Sequence, residues 1–151
     1  MIKIICIGKI KEKYIKEAID DYKKRLNKYT KLEIIEINNI VHPNEKDIIN
    51  KEGKLILNNI KPTDYVITLE ILGHQLDSFE FCDKIESIFN FCSNIVFIIG
   101  GSYGLSKEVK ERSDFSLSFS KMTFPHQLFR VFLLEQIYRA YKIMNNESYH
   151  K

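Results

Sequence analysis

Residues 95–104 read IVFIIGGSYG. Five apolar residues, three of them isoleucine, run straight into two glycines, then Ser, Tyr and a third glycine. A short apolar run bounded by glycine has the pattern of a buried strand. Gly100 and Gly101 remove side chains where it ends, so a planar ring or a ribose can approach the backbone there. A plain turn needing positive φ fits the same residues. A dinucleotide fingerprint, GxGxxG, belongs directly after the first strand, with an acidic residue after the next; here the glycines follow the fourth strand. No GxxxxGK followed by Ser or Thr occurs, so a P-loop is excluded as well.

The flanking sequence alternates between strand and helix patterns. IKIICI (2–7) is β-branched and stops at Gly8. Ile15, Ala18, Ile19, Tyr22, Leu26 and Tyr29 keep helical spacing over 11–29, with Lys13, Lys16, Lys23 and Lys24 off that stripe. LEIIEIN (32–38) predicts a second strand, and 45–60 a helix with Gly53 as a weak point. YVITLEI (65–71) predicts a third strand and 78–91 a helix. After the fourth strand, 106–112 fits a short helix capped by Ser106, and FSLSFS (115–120) a fifth strand. A long helix then starts near Pro125 and ends near Met144. The implied fold class is α/β, a mainly parallel sheet flanked by helices, in a single domain over 1–151.

Parallel sheets bind ligands at the carboxyl ends of their strands. Three such ends are consecutive in the chain: the residues from Leu69, Gly100–Gly104, and Phe119–Phe124. One pocket lined by all three is the simplest arrangement. The last helix, from Leu128 to Met144, leaves almost no polar face, and a helix apolar nearly all round needs cover on two sides. A second subunit is one source of that cover; a position inside one protomer is the other.

The 151 residues suit one domain, and the net charge of +3 is unevenly spread. Residues 1–31 carry ten Lys/Arg against four Asp/Glu, residues 32–120 eight against fourteen, and residues 121–151 five against two. Basic ends around an acidic middle can build one positive surface suited to a polyanion. Solvated lysine on a helix explains the same counts. No apolar run reaches the length of a membrane span, and the start of the chain reads as a strand rather than a signal peptide. Cys6, Cys82 and Cys92 have no CxxC spacing and read as reduced thiols of a cytosolic protein. The four histidines lack ligand spacing, so no metal is expected.

Two further segments carry chemistry. In SFSKMTFPHQLFR (118–130), His126 and Arg130 are four apart on one helix face and can meet a base or a phosphate. Arg139 pairs by spacing with Glu135. The chain closes on Tyr149, His150 and Lys151, which can stack on, hydrogen-bond to and neutralise a nucleotide, or simply fray.

At FIIGGSYGL, LSFSKMTFPHQLFRVFLLEQIYRAYKI and the closing SYHK, the chain resembles the ribosomal RNA large subunit methyltransferase H family, minimal members of the SPOUT (trefoil-knotted) methyltransferases. The likeness extends to MIKIICIGKIKEKYIKEAIDDYKKRL, KEGKLIL and VITLEILG, and so spans the whole chain. It implies a C-terminal trefoil knot and a homodimer built on the last helix. It implies S-adenosylmethionine, leaving as S-adenosylhomocysteine, held by Leu69, Gly100, Phe119, Ser120, Lys121, Met122, Thr123 and Phe124. The implied reaction is methylation of N3 of a pseudouridine in the helix 69 loop of 23S rRNA. Its setting would be the cytoplasm, on the 70S ribosome or large subunit, with no DNA or membrane partner.

For catalysis, His150 is the first candidate base, with Tyr149 and Arg130 positioning the target and His126 the second candidate. In a dimer, the tail of one subunit can serve the pocket of the other. Two alternatives stay open on sequence grounds: a non-catalytic RNA-binding or assembly protein on the same fold, and an enzyme for a nucleotide-like small molecule.

Overall fold

The computed structural model describes residues 1–151. Its order is β1 (Ile2–Ile7), α1 (Lys13–Leu26), β2 (Leu32–Ile37), α2 (Glu45–Leu57), β3 (Tyr65–Gln75), α3 (Ser78–Phe89), β4 (Ile95–Ile99), α4 (Lys107–Arg112), β5 (Phe115–Ser118) and α5 (His126–Met144). The strands form one sheet in the order β2-β1-β4-β3-β5, parallel throughout. Every element expected from the sequence is present, with helix ends drawn in by two or three residues. Two local differences stand out. Pro125 caps α5 from outside instead of opening it, and β3 runs on to Gln75.

The isoleucine-rich strands feed two cores because successive side chains point to opposite faces. Ile2, Ile4 and Cys6 with Ile95, Phe97 and Ile99 face α1, α3 and α5. Ile5, Ile7, Val96 and Ile98 face α2 and α4, where they meet Ile56 and Val109. Both central strands are therefore buried on both faces, as a covered parallel sheet requires. Burial pushes the Cys6 thiol up to about 12, so it stays a protonated apolar side chain.

α5 lies between α1 and α3 on one face of the sheet. Of the two sources of cover open on sequence grounds, the protomer itself supplies that of most of the helix. Leu133, Leu134, Ile137, Tyr138, Ala140 and Tyr141 are buried inside the protomer. Phe132 remains exposed.

The β3–β5 ladder breaks between Leu69 and His74, both of which face Leu117. Residues 70–73 are expelled from the sheet as a bulge. The chain returns at Gly73, where a Cβ would stand 2.9 Å from backbone atoms of Ser116 and Leu117. Only glycine permits that crossing.

α2 and α4 meet as closely. Ser106 caps α4 through its Oγ, which accepts from Val109 N at 3.2 Å. A Cβ at Gly53 would fall 2.3 Å from that oxygen and 2.9 Å from Ser106 Cβ. The glycine that looks like a weak point in the helix is thus a packing requirement. Gly53→Ala gains about 1 kcal/mol of helix propensity but forces the pair apart, at about 1–3 kcal/mol. Net destabilisation is expected, read as a lower urea midpoint; an unchanged or higher midpoint would mean that α4 shifts without cost.

Candidate active site

The carboxyl ends of β3, β4 and β5 surround a cleft of about 580 Å³, within the ~300–1,000 Å³ range of small-molecule sites. Three loops line it: 69–72 after the break in β3, 99–105 after β4, and 117–124 after β5; the start of α5 closes it with His126 and Phe129. Of the residues assigned from sequence to a cofactor, Leu69, Gly100, Phe119, Ser120, Met122, Thr123 and Phe124 all line this cleft. Lys121 does not, and is exposed.

The lining suits a flat, polar-edged ligand. Residues 119–124 take part in no backbone–backbone hydrogen bond. Internal ties are made by side chains instead: Ser118 Oγ donates to Ser120 O at 3.1 Å, and Met122 N donates to Ser120 Oγ at 3.0 Å. Most peptide groups of this run are therefore available to a ligand's edge. Phe119 and Phe129 pack edge to face at 4.9 Å, and Phe124 stacks on Phe129 at 6.1 Å, giving an apolar wall. No cluster of three or more His, Cys, Asp or Glu is arranged to hold a metal ion.

His126 stands at the rim. The surrounding protein and the Arg130 guanidinium lower its pKa below the usual histidine value, so the neutral ring prevails near pH 7. Arg130, one turn on, is buried and faces away from the cleft. Its Nη1 donates to Glu36 Oε2 at 2.7 Å, and its Nη2 donates to the carbonyls of Ile7 and Gly8 at 3.0 and 2.6 Å. Assigning Arg130 to a base or phosphate is therefore corrected. Its guanidinium is committed to the ends of β1 and β2, and it positions α5.

The tail also sits elsewhere than in the cleft of its own chain. Tyr149 and Tyr22 both donate to Glu135 Oε2, which joins the tail to α1 and α5. Arg139 holds Glu135 Oε1 at 2.6 Å, the pair expected from spacing, and also lies over the Tyr149 ring. Burial, with the hydrogen bond to Glu135, raises the pKa of both phenols. His150 packs edge-on to Phe79, with Nδ1 3.2 Å from Arg139 Nη1. A guanidinium only donates, so Nδ1 is the acceptor and the proton of the neutral ring sits on Nε2.

Two charged residues escape the sequence reading. Glu70 and Lys110 line the cleft, Lys110 Nζ lying 3.7 Å from Glu70 Oε1. Glu70 follows Leu69 directly, and the glycine at 73 is the signal of a break that could have drawn attention to it.

Comparison with known proteins fits this geometry. The family profile described as predicted SPOUT methyltransferase matches residues 1–150. The chain belongs to the SPOUT methyltransferase family. A relative from Methanococcus vannielii is 56% identical over 157 residues, covering 99% of both chains. Relatives from Clostridium botulinum (strain Alaska E43) and Clostridium perfringens (strain 13), each named ribosomal RNA large subunit methyltransferase H, are 55% and 54% identical, again over 99% of both chains.

The Glu135 hub predicts how the tail is held. Glu135→Ala leaves two phenols and Arg139 without their acceptor, at about 1.5–3 kcal/mol per charged hydrogen bond. Residues 147–151 should lose amide protection and become open to carboxypeptidase. An unchanged digestion rate would mean that ring packing alone docks the tail.

Proposed function

We infer that this protein transfers a methyl group from S-adenosylmethionine to N3 of a pseudouridine in the helix 69 loop of 23S rRNA, acting on assembled ribosomes. It does so as a cytoplasmic homodimer of one-domain subunits, with the segment after β5 threaded in the trefoil knot of its family. The observation that carries this reading is the cleft at three consecutive strand ends, walled by residues 119–124, most of whose peptide groups are unpaired. It occurs in a chain more than half identical, end to end, to relatives named for rRNA methylation.

The bound cofactor supplies a sulfonium methyl that is already electrophilic. The chain's own residues have three tasks. Leu69, Gly100, Phe119, Ser120 and residues 122–124 would hold the cofactor by backbone and apolar contact. The aromatic wall excludes water from one side of the cleft. A base removes the proton that N3 carries at neutral pH, and the site brings N3 into line. His150 is the first acceptor in this reading, presented by the tail of one subunit to the pocket of the other. Its Nδ1 lone pair becomes free only when Arg139 lets go. His126, neutral and already at the rim, is the acceptor within the same chain.

Two surfaces support the partners. Lys13, Lys16, Lys23 and Lys24 are exposed on α1, where they can meet rRNA phosphate. Beside the cleft, Phe132 stands exposed and edge-on to Phe124, and Met122 of the cleft lining is 74% exposed. That apolar surface is the contact assigned to the second subunit.

The deciding experiment is transfer of label from S-adenosylmethionine to ribosomes lacking the modification. Label should appear at N3 of the helix 69 pseudouridine, fall by about 100-fold or more in His150→Ala, as for loss of a general base, and weaken with salt more gently in Lys16→Ala/Lys23→Ala. No transfer with ribosome binding intact would leave a non-catalytic RNA-binding protein. Transfer only to free nucleosides would indicate a small-molecule enzyme. For the dimer, sedimentation should find Phe132→Asp monomeric and folded; a dimer of undiminished strength would place the interface elsewhere.

A further inference from the structure

Three ionisable side chains line the cleft: Glu70, Lys110 and His126. His126 belongs to the α5 rim. The other two are of opposite charge, lie within 3.7 Å of each other, and play no part in the mechanism above.

Their placement is built from the sheet. Thr68 is fully buried in β3, and its Oγ1 donates to Glu70 Oε2 at 2.7 Å. The same hydroxyl lies 2.8 Å from Ser113 Oγ, which donates to Phe115 O at 2.9 Å. One carboxylate oxygen is thus locked to the rigid strand, while Oε1 is turned to Lys110. Lys110 stands on the last turn of α4, the helix fixed by the Ser106 cap. Its ammonium is half exposed, the carboxylate less so. An exposed pair of this length contributes about 0–1 kcal/mol, so a better partner can separate it at little cost.

The pair also opens on a second, polar cavity of about 280 Å³, lined by the same two residues with His74, Ser113, Asp114 and Ser116 among others. One end of the site therefore offers neutral peptide edges and aromatic faces, the other a carboxylate and an ammonium side by side. A ligand matching both has a flat heterocycle at one end and a zwitterion at the other.

Resting on the cofactor reading above, we propose that Glu70 and Lys110 are the receptor for the α-amino-acid end of S-adenosylmethionine. Glu70 Oε1 accepts from the α-ammonium and Lys110 Nζ donates to the α-carboxylate, each exchanging its present partner for one of the same charge. Both new contacts are charge-assisted hydrogen bonds, stronger than the 3.7 Å pair they replace. The arrangement also explains why Glu70 lies in the expelled segment 70–73. An in-register residue there would continue the ladder with β5, and its side chain would be set by the pleat instead of by the cleft.

The test compares two ligands with neutral sulfur, so that sulfonium charge does not enter. S-adenosylhomocysteine carries the amino-acid end; 5′-methylthioadenosine lacks it. By calorimetry, the wild type should bind S-adenosylhomocysteine more tightly. Glu70→Gln and Lys110→Met should each weaken it about tenfold or more, roughly 1.4 kcal/mol, while the affinity for 5′-methylthioadenosine stays within about twofold of the wild-type value. That retained affinity is also the control for folding. Equal loss of both ligands, or no loss of either, overturns the proposal and leaves the cofactor reading standing. If the wild type binds neither ligand nor S-adenosylmethionine, both readings fall together.

Discussion

The Arg130 guanidinium is the constraint on which the rest of the architecture hangs. It is 2% exposed and joins α5 to three backbone or side-chain groups at the ends of β1 and β2. Its Nε has no partner, so the desolvation of this cation is offset by Nη contacts alone. A buried cation is costly unless paired, and removing one partner of such a pair costs about 3–5 kcal/mol. The clamp therefore resists sliding of α5 along the sheet. Smaller ties reinforce it at the same corner: Glu36 Oε2 also accepts from Ile10 N, and Gln127 accepts from Lys11 N. The start of α5 is in turn what carries His126 and Phe129 to the cleft, and its far half carries the Glu135 hub that docks the tail. A single interaction thus sets the distance between the cleft and everything built on the last helix.

With α5 fixed, the cleft follows from where the strands stop. β4 lies between β1 and β3, so the glycines after it open beside the loops of β3 and β5. A regular β3–β5 ladder would fill that edge with hydrogen-bonded backbone. The break after Leu69 prevents this, and Gly73 allows the chain to rejoin across β5 without a Cβ in the way. The unpaired run 119–124 has the complementary origin. β5 is an edge strand of four residues, and the chain beyond it has no neighbouring strand to satisfy its peptide groups. Backbone left unpaired beside an apolar wall is open to a ligand, which is the property the site needs.

Much of this is legible in the sequence alone. Short β-branched and apolar runs, helical stripes, turn residues and caps are local signals, and all ten elements can be read from them. The three strand-end loops were legible too, because the rule linking them to ligands depends only on strand order in the chain. What escaped were facts that depend on partners distant in sequence. Arg130 and His126 share a spacing of four, yet one points into the core because Glu36, ninety-four residues earlier, waits there. YVITLEI reads as one strand, and although Gly73 hints at a break just beyond it, the partner that sets the break, Leu117 of β5, is distant in sequence. The apolar girth of α5 was visible, but whether α1, α3 or another subunit covers it is a question of topology.

Charge segregation along the chain also acquires a physical meaning once the helices are packed. The basic first segment and the basic last segment are far apart in sequence, but α1 lies directly against α5. α3 packs on the other side of α5 and carries Glu80, Asp83 and Glu86 against Lys84, so the basic character of this layer lies on its α1 side. The Tyr22–Glu135–Tyr149 junction lies between α1 and α5 in the same layer. There the tail's contacts are polar and only partly buried, and each can be exchanged for water at modest cost. The core contacts of α5 beneath cannot be exchanged in this way. The tail is thus held by exchangeable contacts, while the helix that closes the cleft is not.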